Sequence, residues 1–178
     1  MKLHEDKERY PYPYIKQEIS SFLADYLTTI NRQDLIEQYE LKPFYINVLD
    51  KRQTIVEKLV SLVRFSFEQD VVKSLASKIR HFYDLYYLAN DEECANYLQS
   101  AEFQQNLSEL FIHDQQEFDY PEGWQTKTLK DSPLFKEFLA LWADLKLTYQ
   151  NELMPLAFSE IPDETLVAEN FIEIMKRI

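Results

Sequence analysis

The chain of 178 residues is long enough for one domain with a sizeable core, or for one domain with a docked appendage. Its single glycine, Gly123, excludes the glycine-rich phosphate loops of Rossmann and P-loop proteins and favours helices, so we predict a mostly α (α+β) fold. The formal charge of −12 arises in residues 91–178, which hold 6 basic and 18 acidic side chains and are excluded as a general nucleic-acid platform because they repel phosphate.

The first 14 residues are predicted to form an extended arm. They end in Tyr10-Pro-Tyr-Pro-Tyr14, where each proline removes a backbone donor and favours extended geometry in the residue before it. Because the surrounding charge is not basic, we expect Tyr10, Tyr12 and Tyr14 to pack against the first helix instead of stacking on nucleobases.

Apolar residues at helical spacing predict the first helix over Ile15 to Ile30. Its inward face is expected to comprise Ile15, Ile19, Phe22, Leu23, Tyr26 and Leu27. Asn31 is expected to N-cap a short second helix that ends at Tyr39.

One segment has the composition of a strand. Phe44 to Leu49 is rich in β-branched and aromatic residues and is bounded by Pro43 and Asp50. A single strand is not stable by itself. Either residues 1–14 pair with it, or its sheet includes strands that this chain lacks.

Two amphipathic helices follow the strand, in the only part of the chain with a basic excess. Between Asp50 and Arg80 there are 7 basic and 4 acidic residues, so an anionic ligand is expected to bind there. The first helix, Lys51 to Arg64, is apolar at Ile55, Val56, Leu59, Leu62 and Val63. Its polar stripe contains Thr54, Lys58 and Ser61.

The second helix spans Lys78 to Leu88. Leu75, Ile79, Phe82 and Tyr86 form its apolar row, and beside that row lie Arg80, Asp84 and Tyr87. A short link around Glu68 to Val71 predicts that the two helices pack antiparallel, which would bring both polar stripes to one cleft.

The rest of the chain is predicted to be helical, with two connections. Helices are expected at Glu92 to Leu98, at Ala101 to Phe118, from Pro133 toward Leu153 with Ser132 as N-cap, and after the cap Asp163. The connections are Asp119 to Asp131 and Met154 to Pro162. The aromatic residues Trp124, Phe135, Phe138 and Trp142 are expected in the core.

The two amphipathic helices carry a family resemblance. The sequences Arg52-Gln-Thr-Ile-Val-Glu-Lys-Leu59 and Arg80-His-Phe-Tyr-Asp-Leu85 resemble the AbiEii/AbiGii-type nucleotidyltransferase toxins of bacterial toxin–antitoxin and abortive-infection systems. The resemblance runs from about Ile15 to Leu88 and is strongest from Pro43 onward.

The resemblance implies roles for four residues. In that family a lysine and an arginine of the first helix and an aspartate of the second complete a nucleotide-binding active site; here these are Lys58, Arg64 and Asp84, with Arg80 beside the aspartate. Lys58, Arg64 and Arg80 would bind the phosphates of an NTP, and Lys58 and Asp84 would be the catalytic pair, with Asp84 aligning a hydroxyl acceptor, for example on RNA.

The family's metal-binding motifs, a Gly-Gly/Ser loop and an Asp-x-Asp strand, are missing from this sequence. We therefore expect a C-terminal portion of a longer protein, with residues 1–50 left from the nucleotidyltransferase-like part and residues 51–178 forming a helical C-terminal domain. Such a chain would be inactive alone. It would bind Mg²⁺ and NTP once the site is completed, and its partner would be an antitoxin or the missing N-terminal half.

Simpler interpretations exist for the same residues. Lys58 could be a solvated lysine, Arg64 a surface charge, and Asp84 the partner of Arg80 in an ordinary i,i+4 pair. His81 is expected to be packed or on the surface. His4 and His113 are isolated, so no structural metal site is predicted.

Two other functions fit the sequence. The chain could be a non-catalytic interaction module of the same fold that binds a partner through a strand edge, or an unrelated helical adaptor. The location is predicted to be cytoplasmic, because Cys94 cannot form an internal disulfide and neither a signal peptide nor a membrane span is present in this sequence.

Overall fold

A computed structural model describes residues 14–156 and 160–178. Within these ranges the chain forms ten α-helices and one two-stranded antiparallel sheet, which confirms the predicted mostly α (α+β) fold. Among the described helices, none has both the length and the apolar character needed to cross a membrane. The predictions for Tyr10, Tyr12 and His4 lie outside the described residues.

The described residues 14–50 form one compact unit. Its elements are β1 (Ile15–Ile19), α1 (Phe22–Thr29), α2 (Gln33–Gln38) and β2 (Phe44–Val48). The two strands are antiparallel, and the pairs Ile15 with Val48 and Ile19 with Phe44 mark the ends of the ladder. The predicted strand is therefore present.

The helix predicted from Ile15 is wrong over its first turns, because residues 15–19 are β1 and supply the partner of β2. The described partner is thus neither the N-terminal arm nor a missing strand. Helix α1 begins only after Ser21, whose side-chain oxygen accepts a hydrogen bond from the Ala24 amide at 3.1 Å. The predicted inward face is also wrong: Phe22, Leu23 and Tyr26 are exposed, and α1 buries Ala24 and Leu27.

Asn31 does not N-cap α2. Its φ of 55° places it in the left-handed region that asparagine tolerates, and the amide of the next residue, Arg32, donates to the Leu27 carbonyl at 2.8 Å. Asn31 therefore ends α1, and the N-cap of α2 is Arg32.

The residues from Lys51 to Ile178 belong to a second unit, which is helical where it is described. Its helices are α3 (Lys51–Phe65), α4 (Val71–Ala76), α5 (Ile79–Ala89), α6 (Glu92–Tyr97), α7 (Ala101–Glu117), α8 (Pro133–Lys136), α9 (Phe138–Leu153) and α10 (Glu164–Met175). Short 3₁₀ turns occupy Trp124–Thr126, Leu129–Asp131 and Met154–Leu156.

Two helix boundaries in this unit differ from prediction. The link between the amphipathic helices contains α4, because Asp70 caps a new helix by accepting from the Lys73 amide at 3.0 Å. Ser132 and Pro133 do start a helix, but it is interrupted at Glu137, whose φ and ψ of −141° and 25° are not helical. Asp163 caps α10 as predicted.

The core of this unit is aromatic around α5. Phe82 is 1% exposed, and its ring packs on Phe138, Trp142 and Phe171 with centroid separations of 5.9, 5.3 and 4.9 Å. These contacts tie α5 to α9 and α10. Trp124 is also fully buried, so the aromatic residues predicted for the core are there, although Phe135 is only half-buried.

Candidate functional site

Two ion pairs show that α3 and α5 run antiparallel. Lys51 at the start of α3 contacts Asp91, which follows α5, and Lys58 two turns further into α3 contacts Asp84 inside α5. The residue numbers therefore rise along α3 in the direction in which they fall along α5. The polar stripes of the two helices therefore share a groove, as their spacing predicts.

Lys58 and Asp84 form the tightest charged contact in this groove. The Lys58 Nζ donates to the Asp84 Oδ2 at 2.6 Å, and the two side chains are only 18% and 22% exposed. Lys58 is not the solvated lysine of the simpler interpretation, since a carboxylate holds it across the groove. Asp84 does make the i,i+4 contact with Arg80, but its contact with Lys58 is much shorter. A charge-assisted hydrogen bond with this little solvent fixes both side chains in place.

Arg80 lies on the outside of this pair. Its Nε is 3.8 Å from the Asp84 Oδ1, and its side chain is 72% exposed. A long contact at an exposed position holds an arginine only weakly. Arg80 can therefore turn its guanidinium toward an anion that approaches Lys58.

A pocket of about 480 Å³ opens beside the ion pair. It is lined by Thr54, Lys58, Tyr83, Asp84, Tyr87 and Leu88. Sequence analysis placed Thr54, Lys58, Asp84 and Tyr87 on the two stripes and missed Tyr83 and Leu88. The missed pair could have been found, because both lie four residues from positions already on the stripe of α5.

Arg64 does not line this pocket. Its guanidinium carbon lies over the rings of Phe65, Phe118 and Trp124, at 5.0, 4.2 and 5.9 Å from their centroids. Six residues separate Arg64 from Lys58, which turns the two side chains to different sides of α3. The structure thus brings together three of the four candidate residues, Lys58, Asp84 and Arg80, and places Arg64 among aromatic rings.

His81 on α5 is a titratable group whose pKa this environment shifts strongly. Burial, followed by the positive charges of Lys58 and Lys78, lowers the pKa of His81 to about 4; the Asp84 carboxylate opposes this shift, and Arg80 adds a smaller lowering effect. Its Nδ1 is buried and has no hydrogen-bond partner among the described residues. The imidazole is therefore neutral at pH 7.

The lowered pKa of His81 predicts acid sensitivity. The unfolded chain binds a proton at His81 below pH 6.5, whereas the folded chain resists it until about pH 4, so folding stability falls as pH falls through that window. The difference between the pKa values of His81 in the unfolded and folded chain corresponds to about 3 kcal/mol of folding free energy. Partial solvent exposure of the ring reduces this to about 2 kcal/mol. His81→Gln should flatten the curve of unfolding free energy between pH 6.5 and 4 relative to the wild type.

Urea denaturation at intervals of half a pH unit measures this effect. Carboxylates that titrate in the same range affect both proteins equally, so the difference between the two curves isolates His81. Curves that run parallel from pH 7 to pH 4 would contradict the assignment.

The described residues do not fit a magnesium site. No group of three or more His, Cys, Asp or Glu residues within them could hold a metal ion, and Asp84 is the single carboxylate that lines the pocket. That carboxylate is already neutralised by Lys58. Magnesium requires several oxygen ligands in near-octahedral order. The pocket itself offers cations and aromatic rings, which suit an anionic, partly apolar ligand.

Comparison with known proteins gives one match. A family model described as "Nucleotidyl transferase AbiEii toxin, Type IV TA system" matches residues 7–167, most of the chain. The matched region contains both helices of the pocket. No curated protein and no solved structure matches the chain.

Proposed function

The chain belongs to the AbiEii nucleotidyl transferase toxin family, and from this membership we propose that the pocket between α3 and α5 binds the phosphates of an NTP whose nucleotide is transferred to a hydroxyl acceptor. The observation that carries the proposal is the Lys58–Asp84 pair, which lines a pocket of about 480 Å³. It puts a phosphate-binding cation and a hydroxyl-binding anion side by side.

Lys58 is the proposed phosphate ligand. An ammonium donates three hydrogen bonds, and Asp84 uses one of them, so two remain for phosphate oxygens. Arg80 is free to swing in and bind further oxygens, because its side chain is 72% exposed and only loosely held. Arg64 is not proposed as a ligand of the same phosphates, although the family resemblance implies that role, because Arg64 does not line the pocket.

Asp84 is the proposed positioning residue for the acceptor. Its carboxylate accepts a hydrogen bond from the acceptor hydroxyl and aligns the oxygen with the α-phosphorus. The new bond joins that oxygen to the α-phosphorus, the bond to the β-phosphate breaks, pyrophosphate leaves, and the hydroxyl proton passes to Asp84 or to water. An RNA hydroxyl is the proposed acceptor.

Magnesium would neutralise the phosphates in such a transfer, and its ligands are absent from the described residues around Asp84. The proposal is that carboxylates from a second polypeptide complete the site, and that the chain alone binds NTP without transferring a nucleotide.

Binding of ATP tests the proposed site. Lys58→Met should lower ATP affinity by at least about tenfold, because a charge-assisted hydrogen bond to phosphate is lost. The control is Lys51→Met, which removes an equal charge from the same helix at a position 40% exposed and paired with Asp91 and Glu93. Its affinity should match the wild type.

Isothermal titration gives the affinities, and amide chemical shifts locate the ligand. Affinity in the wild type should fall as salt is added, because the contacts are ionic. Equal affinity in Lys58→Met and the wild type, or shifts confined to residues 91–178, would refute the site.

A non-catalytic interaction module is the second candidate function. The observation that favours it is the apolar surface of residues 14–50, where Phe22 is 91%, Tyr45 65% and Phe44 58% exposed. Both strands of the sheet also have one edge without a described partner strand. This candidate predicts that ATP does not bind at Lys58, so the titration above separates the two.

A further inference from the structure

The pocket between α3 and α5 has a charged end and an apolar end. Because the helices are antiparallel, Leu88 lies opposite Thr54, one helical turn from the Lys58–Asp84 pair. The side chains of Tyr83 and Tyr87 also line the pocket, and Tyr87 lies between Asp84 and Leu88 along α5. If the anionic group of a ligand binds Lys58, the neighbouring part of that ligand therefore contacts the aromatic side chains.

Tyr87 is held in place while its ring stays open to solvent. It packs edge-on against Tyr83 with a centroid separation of 4.9 Å and against Tyr86 at 5.5 Å, and it is still 47% exposed. Burial, with a hydrogen bond to the Tyr83 side chain, raises the pKa of its hydroxyl. Two neighbours thus fix a ring that the core does not bury.

Tyr149 shows what a tyrosine does in this unit when its role is packing. It is 0% exposed, and its hydroxyl donates to the Pro162 carbonyl at 3.0 Å. Tyr87 has neither this burial nor a backbone partner in the described hydrogen bonds. A fixed, exposed ring on a pocket wall is the arrangement that stacks on a planar ligand.

We propose that Tyr87 is the surface on which the base of the bound nucleotide stacks, with Tyr83 supporting it. This inference rests on the proposed function, since it needs a phosphate group at Lys58. Stacking accepts any base, because every nucleobase has a π-face. The pocket volume of about 480 Å³ lies within the range of small-molecule sites.

Paired titrations with ATP and inorganic tripolyphosphate separate base recognition from phosphate binding. Tyr87→Leu should lower ATP affinity by about tenfold, since stacking on an aromatic ring is lost, and should leave tripolyphosphate affinity unchanged. Tyr87→Phe keeps the ring and should bind ATP within about twofold of the wild type. The control Tyr26→Leu removes a tyrosine that is 59% exposed on another helix, and should change neither affinity.

The outcomes distinguish this inference from the proposed function. If tripolyphosphate binds through Lys58 but ATP binds no tighter, or if Tyr87→Leu leaves ATP affinity unchanged, base stacking at Tyr87 is overturned and the phosphate site stands. Equal losses for both ligands in Tyr87→Leu would also overturn it, because they would show a general disturbance of the pocket. If neither ligand binds the wild type, both proposals fall together.

Discussion

Phe82→Ala should destabilise the protein by about 3–5 kcal/mol, the range for deleting a fully buried phenyl ring. Phe82 is 1% exposed and contacts three aromatic rings on α9 and α10, so its loss leaves a cavity where three helices meet. Such a loss is a large fraction of the stability of a typical domain. Helix α5 also carries Asp84 and Tyr87, so its anchoring decides whether the pocket keeps its shape.

Urea denaturation followed by tryptophan fluorescence measures this effect. Phe82→Leu retains most of the volume and should lose only about 1–2 kcal/mol, which keeps the test informative if the alanine variant does not fold. Leu139→Ala, at a site that is 66% exposed on α9, should change the unfolding free energy by less than about 0.5 kcal/mol. An alanine variant within about 1 kcal/mol of the wild type would show that the cluster is not the core of this unit.

Nucleotide transfer should require both members of the Lys58–Asp84 pair. The chain alone, given radiolabelled NTP, Mg²⁺ and total RNA, is expected to label nothing, because its described residues place a single carboxylate in the pocket. Labelling should appear when a separately expressed polypeptide with the family's Asp-x-Asp strand is added. Lys58→Met and Asp84→Asn should each then reduce it by at least about 100-fold, the scale for removing an electrostatic contact to the transition state.

Matched controls make this result interpretable. Lys51→Met and Asp91→Asn break a slightly longer ion pair, 2.8 Å against 2.6 Å, at a more exposed position, and should leave labelling within about twofold. Circular dichroism confirms that each variant is folded. Labelling by the isolated chain would show that no second polypeptide is needed. Full activity of Asp84→Asn would leave Asp84 as a structural partner of Lys58.

The binding and transfer experiments address different steps. Lys58→Met should fail in both, because a phosphate that is not bound cannot be transferred. Asp84→Asn should keep or slightly strengthen ATP binding, since it removes a negative charge next to the phosphates, and should fail only in transfer. This split between binding and transfer identifies Asp84 as the group that acts on the acceptor.

Local sequence patterns determined much of this fold. The apolar period of residues 51–64 predicted α3 because a helix buries one stripe, and Ser132 and Asp163 predicted helix starts because their side chains satisfy free backbone amides. Near-absence of glycine predicted a mostly helical chain. The polar stripes also placed Lys58 and Asp84 on the correct faces of their helices, since that depends only on spacing.

Long-range contacts decided the rest. Residues 15–19 have an apolar period compatible with a helix, but pairing with β2 makes them a strand, and no local signal encodes that partner. Likewise, the spacing of Arg64 and Arg80 made both equally good candidates for binding phosphate. Only the folded structure shows that Arg64 lies among aromatic rings and that Arg80 lies beside Asp84. The Lys58–Asp84 contact itself spans 26 residues of sequence and exists because α3 and α5 pack against each other in the folded chain.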